Sequence, residues 1–443
     1  MDSPVEKAAF LTLSRDQQDA IDLTLMAQVT ARGGGAAVGV VQRGDLTFAH
    51  GYGLANIEWA AAATPETIFP IASISKPLTA LAVMMLAEEG KLALDEPIDA
   101  YGLTIAAASA PITVAHLLTH TSGLRNFNDV VDMNERQRAI SRVDLLPFLL
   151  ALPCDFGPGA RWNYSNSGYA LLSYLVEKVA GLSFGQFMQA RLFGPLGMTR
   201  TSLLHDRALL PGRASDYQSG PRGLERANYI SFSWYRGAGA FASTVSDLAR
   251  LEAGLACGQL LPPSLFARML EPAPLSDAET YPYGLGWGVA TYLGRAIHHH
   301  TGGLGGFRGE YLRVPDEGLA VVVLANNADF PFHTVTCAMT RILLGAAPVQ
   351  RTEVATSAAD RRAIAGRFVP ADGAVLEIRD NDGRLTCTGA SIAVLALDGE
   401  GNLYDVRDPE VTYALEREAA GDVSAVTLAV PMFAPQRFVR KTG

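Results

Sequence analysis

Cysteine is scarce. The 443 residues hold four, Cys154, Cys257, Cys337 and Cys387, and none stands at metal-ligand spacing from another. A cysteine-built metal site is therefore excluded, and the four read as free thiols of a reducing compartment. Positive charge is also short: 36 Lys and Arg face 45 Asp and Glu, a formal net charge of -9. That argues against nucleic acid or an anionic membrane surface as the main partner. No apolar run approaches the ~18 residues of a membrane span. The start, Met-Asp-Ser-Pro-Val-Glu-Lys, lacks a basic segment followed by an apolar one, so no signal peptide is read. The expected location is the cytoplasm, or the periplasm or exterior if a signal peptide was trimmed. What is present is ordinary globular material, 49% hydrophobic and 18% charged. The length suits two to four domains of roughly 100–200 residues each.

One stretch organises the chain: Phe69-Pro-Ile-Ala-Ser-Ile-Ser-Lys-Pro-Leu-Thr-Ala80. Residues three apart on a helix share a face, so Lys76 can hold its amine beside the Ser73 hydroxyl. The partial positive charge of a helix N-terminus favours developing negative charge on that oxygen. From Leu78 to Ala87 the residues are apolar all round, which predicts a buried helix. Glu88-Glu89-Gly90 supplies a polar end and a glycine stop. By itself Ser-x-x-Lys does not distinguish a nucleophile from a helix cap.

Upstream, Ser14 and Gln17 form a capping-box pattern for an amphipathic helix through Ile21, Leu25 and Val29, stopped by Gly33-Gly34-Gly35. Ala36–Val41 and Leu46–Tyr52 read as a hairpin around Arg43-Gly44-Asp45. Downstream, Ile112–Leu124 reads as a short helix ending in a turn. Tyr164, in Trp162-Asn-Tyr-Ser-Asn-Ser-Gly168, precedes a helix over Tyr169–Val179. Read alone, this stretch is a turn with an aromatic anchor. A neighbouring lysine cation would favour the Tyr164 phenolate, and Asn166 offers both donor and acceptor. Further on, His298-His-His300 lies between strand-like segments, so His298 and His300 share a face and His299 points away. No nearby carboxylate or cysteine completes a metal site, and no metal is expected. The glycines after His300 suit close approach of backbone amides to an oxyanion. Glu310–Val314 and Gly318–Ala325 read as strands, and Thr334–Leu344 as a closing helix.

Ser73-x-x-Lys76, Tyr164-x-Asn166 about 90 residues on, and His300-Thr-Gly302 resemble the three motifs of the serine β-lactamase and penicillin-binding-protein superfamily. The Tyr-x-Asn element is similar to that of the class C β-lactamase branch, with its esterases and D-aminopeptidases. Ile112–Leu124, Gly239–Asp247 and the run from His300 to Asn326 match as well, so the resemblance covers about residues 14–345. It implies an α/β fold, an antiparallel sheet flanked by helices with an all-helical subregion. It also implies an acyl-enzyme serine hydrolase: Ser73 as nucleophile and Tyr164 with Lys76 as a coupled base, the proton carrier left open. The backbone amides of Ser73 and Gly303 are the implied oxyanion donors. Asn166 would hold the substrate amide, and His300 would bring polar or positive character near Tyr164. Gly302, Trp234 and Arg308 are the implied substrate contacts. No cofactor is needed. Where the β-lactamases carry lysine, this chain has His300, as in D-aminopeptidase-like, esterase-like and cyclising relatives, which argues against efficient β-lactam hydrolysis.

Two other patterns fall away. Gly181-Leu-Ser-Phe-Gly185 spells a nucleophile elbow, but a helix precedes it, and Ser183 with Gln186 reads as a capping box. Lys441-Thr-Gly443 spells the usual third motif at the chain's end, outside the catalytic region. The composition shifts after residue 345. The expected organisation is a catalytic domain over 1–345, a linker over 346–365 and a small antiparallel barrel over 366–443. In the last, Asn381-Asp-Gly383 is a hairpin signal between Ala374–Arg379 and Arg384–Thr388, and Leu403–Val406, Val411–Leu415 and Val423–Val430 continue as strands. The barrel resembles the lipocalin-like domains appended to D-aminopeptidases and penicillin-binding-protein-type thioesterases, covering the site or supporting assembly. The reading is a D-stereospecific aminopeptidase or amidase acting on a small molecule or short peptide. The rivals are an esterase, an acyl-transferring or cyclising thioesterase, and a non-catalytic ligand sensor. Neither nucleic acid nor membrane is an expected partner, and a homo-oligomer is left open.

Overall fold

The computed structural model describes residues 13–370, 375–388, 392–419 and 421–441. The chain divides into two compact units, Met1–Leu344 and Gly345–Gly443.

The first unit opens with helix α1 (Arg15–Arg32). The Ser14 side chain accepts from the Gln17 amide while Gln17 accepts from the Ser14 amide, and Ile21 and Leu25 are buried. The helix ends at Gly33, whose φ of 73° only glycine adopts without strain. Strands β1 (Gly35–Gln42) and β2 (Asp45–Asn56) follow as a hairpin, joined where Arg43 and Gly44 both take positive φ. This is the primed turn whose twist matches antiparallel strands. With β3 (Ala61–Ala62), β4 (Gly288–Tyr292), β5 (Arg295–Leu304), β6 (Phe307–Val314) and β7 (Leu319–Ala325) they form one antiparallel sheet in the order β4-β5-β6-β7-β1-β2-β3. The pairing of β1 with β7 joins the two ends of the unit. All seven residues of β7, Leu-Ala-Val-Val-Val-Leu-Ala, are buried, because helices cover both faces of the sheet.

One face carries helices α2 (Ser75–Glu88) and α4 (Val245–Ala256); the other carries α1 and α5 (Phe332–Leu343), and α3 (Asn166–Ala180) packs on α2. Ser75 to Leu86 of α2 are all buried, as its all-round apolar sequence requires. Ser183 caps the short helix Phe184–Met188, so the elbow-like pattern is a helix start. Among the described residues, no helix is long and apolar enough to cross a membrane.

The second unit is a closed eight-stranded antiparallel barrel. Phe368, Leu376, Ile378, Leu385, Leu403, Val426 and Phe438 fill it. Asp382 and Gly383 turn its second hairpin with positive φ. That hairpin's first strand is Leu376–Asn381, and Ala374 lies outside the described residues, as do Thr442 and Gly443. The stretch read as linker contains helix α6 (Ala358–Ile364), started by a Ser357–Asp360 capping box. Three barrel strands, Gly366–Val369, Ile392–Leu397 and Gln436–Arg440, have no counterpart in the sequence reading. None of the four cysteines, all of them among the described residues, is joined in a disulfide.

Candidate active site

Ser73 sits in a tight turn, Ala72–Ile74, that leads into α2. Ala72 takes φ 47°, a left-handed conformation costly for a residue with a Cβ. Neighbours hold it there. The Ile71 amide donates to the Phe241 carbonyl at 2.9 Å, and the Phe241 amide donates to Ser75 Oγ at 3.1 Å. On the sheet side β5 presses against the turn at Gly302, where an added Cβ would lie 2.4 Å from the Ile71 carbonyl oxygen. Glycine is required by that approach.

Lys76 is fully buried. Its Nζ lies 2.8 Å from Asn166 Oδ1, 2.8 Å from the Ala238 carbonyl and 3.2 Å from Ser73 Oγ. Burial drives its pKa well below the ordinary lysine value. A neutral amine has two protons and one lone pair. The Asn166 and Ala238 oxygens can only accept, so in that form they take the two protons and the lone pair is left for the Ser73 hydroxyl, whereas an ammonium would donate to all three oxygens. Tyr164 hydrogen-bonds to Ser73, and its ring centroid lies 4.5 Å from Nζ. Burial raises the Tyr164 phenol well above its ordinary value. Burial thus moves both groups toward their neutral forms, away from a lysine cation beside a phenolate.

His300 is 5% exposed. Its Nδ1 donates to the Thr301 carbonyl at 2.6 Å, which leaves Nε2 to accept from the Tyr283 hydroxyl at 3.0 Å. Burial, then the proximity of Lys76, lowers its pKa to about 3. It is a neutral, polar group, and a positive one is not supported. His299 points to the opposite face, as the alternation predicts, but there it meets Glu310. The carboxylate invisible in the linear sequence is supplied by the facing strand.

Beyond His300, β5 pairs with β6 alone, since β4 begins at Gly288, opposite His299. Gly303 is exposed on this segment, one residue past the contact with the Ser73 turn, and faces Arg308 across the strands. Arg308 bends over its own hairpin, Nη1 donating to the carbonyls of Gly305 and Phe307 at 2.9 and 2.8 Å. Trp234 stands apart from this group. It is 8% exposed, packs against Phe127 and Phe148, and donates from Nε1 to the Arg138 carbonyl at 2.9 Å. Those are the surroundings of a core side chain.

Sequence reasoning missed His120, Tyr283 and Ala238. His120 accepts the Ser165 amide on Nδ1 at 3.1 Å and lies between the rings of Tyr164, Tyr169 and Tyr283. It falls inside the Ile112–Leu124 stretch, which was the available signal. Ala238 contributes only a carbonyl, and backbone carries no sequence signal.

A family model described as Beta-lactamase matches residues 24–346, most of the chain. The chain belongs to the Beta-lactamase family. It is 28% identical over 370 residues to Penicillin-binding protein 4* of Bacillus subtilis (strain 168), a match covering 77% of this chain and 81% of that protein. It is 29% identical over 307 residues to a D-aminopeptidase of Gluconobacter oxydans (strain 621H), covering 67% of this chain and 56% of the relative. The chain thus spans little more than half the length of that relative. Among solved structures, the octameric penicillin-binding protein homologue from Pyrococcus abyssi aligns with TM-score 0.70 and 23% identity over 96% of this chain and 100% of that one. A D-amino acid amidase from Ochrobactrum anthropi SV3, complexed with D-phenylalanine, aligns with TM-score 0.65 and 22% identity over 74% and 99%. These two likenesses establish the fold of this family member: the helix-flanked antiparallel sheet, and for the first also the barrel.

Proposed function

We propose that this protein is a serine hydrolase that works through an acyl-enzyme, most specifically a D-stereospecific aminopeptidase or amidase. The observation that carries the reading is the single set in which Ser73, the buried Lys76, Tyr164 and Asn166 meet. Lys76 takes the Ser73 proton as Oγ attacks the substrate carbonyl carbon. The charge that develops on the carbonyl oxygen is received by the amides of Ser73 and Gly303. Collapse expels the amine or alcohol, which takes a proton from the Tyr164–Lys76 pair, and water then cleaves the Ser73 ester by the same route. Asn166 anchors Lys76 through Oδ1 and leaves its NH₂ for the substrate.

Substrate choice follows from the third motif. A lysine there offers a permanent cation to a substrate carboxylate, whereas His300 is neutral. Amides and esters should therefore bind better than acids such as penicillins. The D-aminopeptidase relative supports the D preference. Carboxylester hydrolysis and acyl transfer to an amine use the same acyl-enzyme and are the alternatives. We assign the chemistry to residues 1–345, read the barrel as lipocalin-like, and take the octameric homologue as support for a homo-oligomer. The test is kcat/KM for matched D- and L-alanine amides, with benzylpenicillin alongside. The D-amide should be fastest; equal rates for the enantiomers, or fastest turnover of penicillin, would defeat the D-amidase reading.

A further inference from the structure

Behind the catalytic strand lies a second buried polar set that the reaction scheme leaves unused. His299 Nδ1 is 3.1 Å from one Glu310 oxygen, and His333 Nδ1 is 2.9 Å from the other. Cys337 Sγ lies 3.7 Å from His333 Nε2, one turn along α5. Glu310 is 0% exposed and is the cross-strand partner of Thr301. A carboxylate only accepts, so both histidines donate to it from Nδ1. Burial alone would neutralise Glu310, but His333 and His299 hold it at about 2. Burial likewise opposes charge on His333, and Glu310 overrides it, raising His333 well above its ordinary value. The centre is a buried carboxylate–imidazolium pair with a second histidine hydrogen-bonded to it.

Its location gives it a task. The segment from His300 to Leu304 has strand pairing on one side only, and glycine at 302 and 303 removes side-chain packing where the oxyanion must be met. Such a segment has to be held by what touches it. In front, Gly302 meets the Ile71 carbonyl. Behind, Glu310 ties His299, the residue next to His300, to His333 on α5. A buried ion pair adds little stability over apolar packing of the same volume. What it adds is direction, since each bond fixes the angle of one strand or helix against the carboxylate.

We infer that Glu310 is a positioning residue for the Ser73 reaction, clamping β5 to α5 through His299 and His333 so that the Gly303 amide and His300 stay aimed at the tetrahedral intermediate. The inference rests on the acyl-enzyme reading. The experiment uses the full chain, wild type beside Glu310→Gln and His333→Asn, the second keeping a neutral donor toward Glu310. Three quantities are read: end-point labelling of Ser73 by a fluorophosphonate, kcat and KM for a nitrophenyl ester, and inhibition by a boronic acid that forms a tetrahedral adduct on Ser73. For Glu310→Gln we expect complete labelling, kcat lowered about 10- to 100-fold with KM unchanged, and boronate affinity reduced in parallel with kcat/KM. His333→Asn should lose less, and it carries the test if Glu310→Gln does not fold. Unchanged kcat/KM and boronate affinity in both variants would overturn the positioning role. So would sub-stoichiometric labelling with wild-type rates in the labelled fraction, which marks a merely structural role. Failure of the wild type to label at Ser73 would instead overturn the acyl-enzyme reading, and the clamp with it.

Discussion

At Ser73 the proton can pass to Lys76 or to Tyr164, and the surroundings treat the two differently. Burial lowers Lys76 and raises Tyr164, so the amine is ready to accept while the phenol holds its proton. A base must be deprotonated, so kcat/KM should rise with pH, through neutral into mildly alkaline solution, as the coupled Tyr164–Lys76 pair loses its proton. His300, held at about 3, is neutral over that range and should add no limb. A pH profile on a neutral ester checks this, and a rate peaking below about pH 6 would contradict it. Lys76→Arg keeps a cation and removes the lone pair, so acylation should slow by about 10²- to 10⁴-fold. Gly302→Ala is the steric counterpart. Its methyl would meet the Ile71 carbonyl at 2.4 Å, and the turn or β5 must shift, so kcat/KM should fall about 100-fold. Ester kinetics beside a melting curve would separate this loss from unfolding.

Elements were legible where the determining chemistry is local. The Ser14 and Ser183 caps each act over three residues, and the Arg43-Gly44 turn over two. Contacts across the sheet were not. Glu310 meets His299 only because of the β5–β6 register, and Tyr283 meets His300 because the chain turns back between them. No local period encodes either meeting, and His120 is aligned with Tyr164 by tertiary contacts, ring packing and its bond to the Ser165 amide. The Gly239–Asp247 stretch shows the middle case. Its ending, Thr-Val-Ser-Asp, is a helix start, and Thr244 does accept from the Asp247 amide. The Asp247 carboxylate has a longer reach. Wholly buried, it accepts from the Arg200 amide and the Thr201 hydroxyl at 2.8 Å each and pairs with Arg250 at 2.7 Å. Asp247→Ala would strand buried donors and should destabilise the first unit by about 2–4 kcal/mol, read by denaturant unfolding.

At the scale of the molecule, the two units draw on separate sets of core residues. Each can melt as its own cooperative unit, so calorimetry of the full chain should show two transitions. Phe368→Ala, in the barrel core, should lower one by the roughly 3–5 kcal/mol of a large core truncation and leave the other in place. Equal shifts of both would mean that the units melt together. One acyl-enzyme per chain, on Ser73, is open to direct weighing. Intact-mass spectrometry after a slow ester or a fluorophosphonate should show a single added group, and peptide mapping should place it on Ser73. No adduct should form on Ser73→Ala. An adduct on Ser183, or on any residue other than Ser73, would contradict the account.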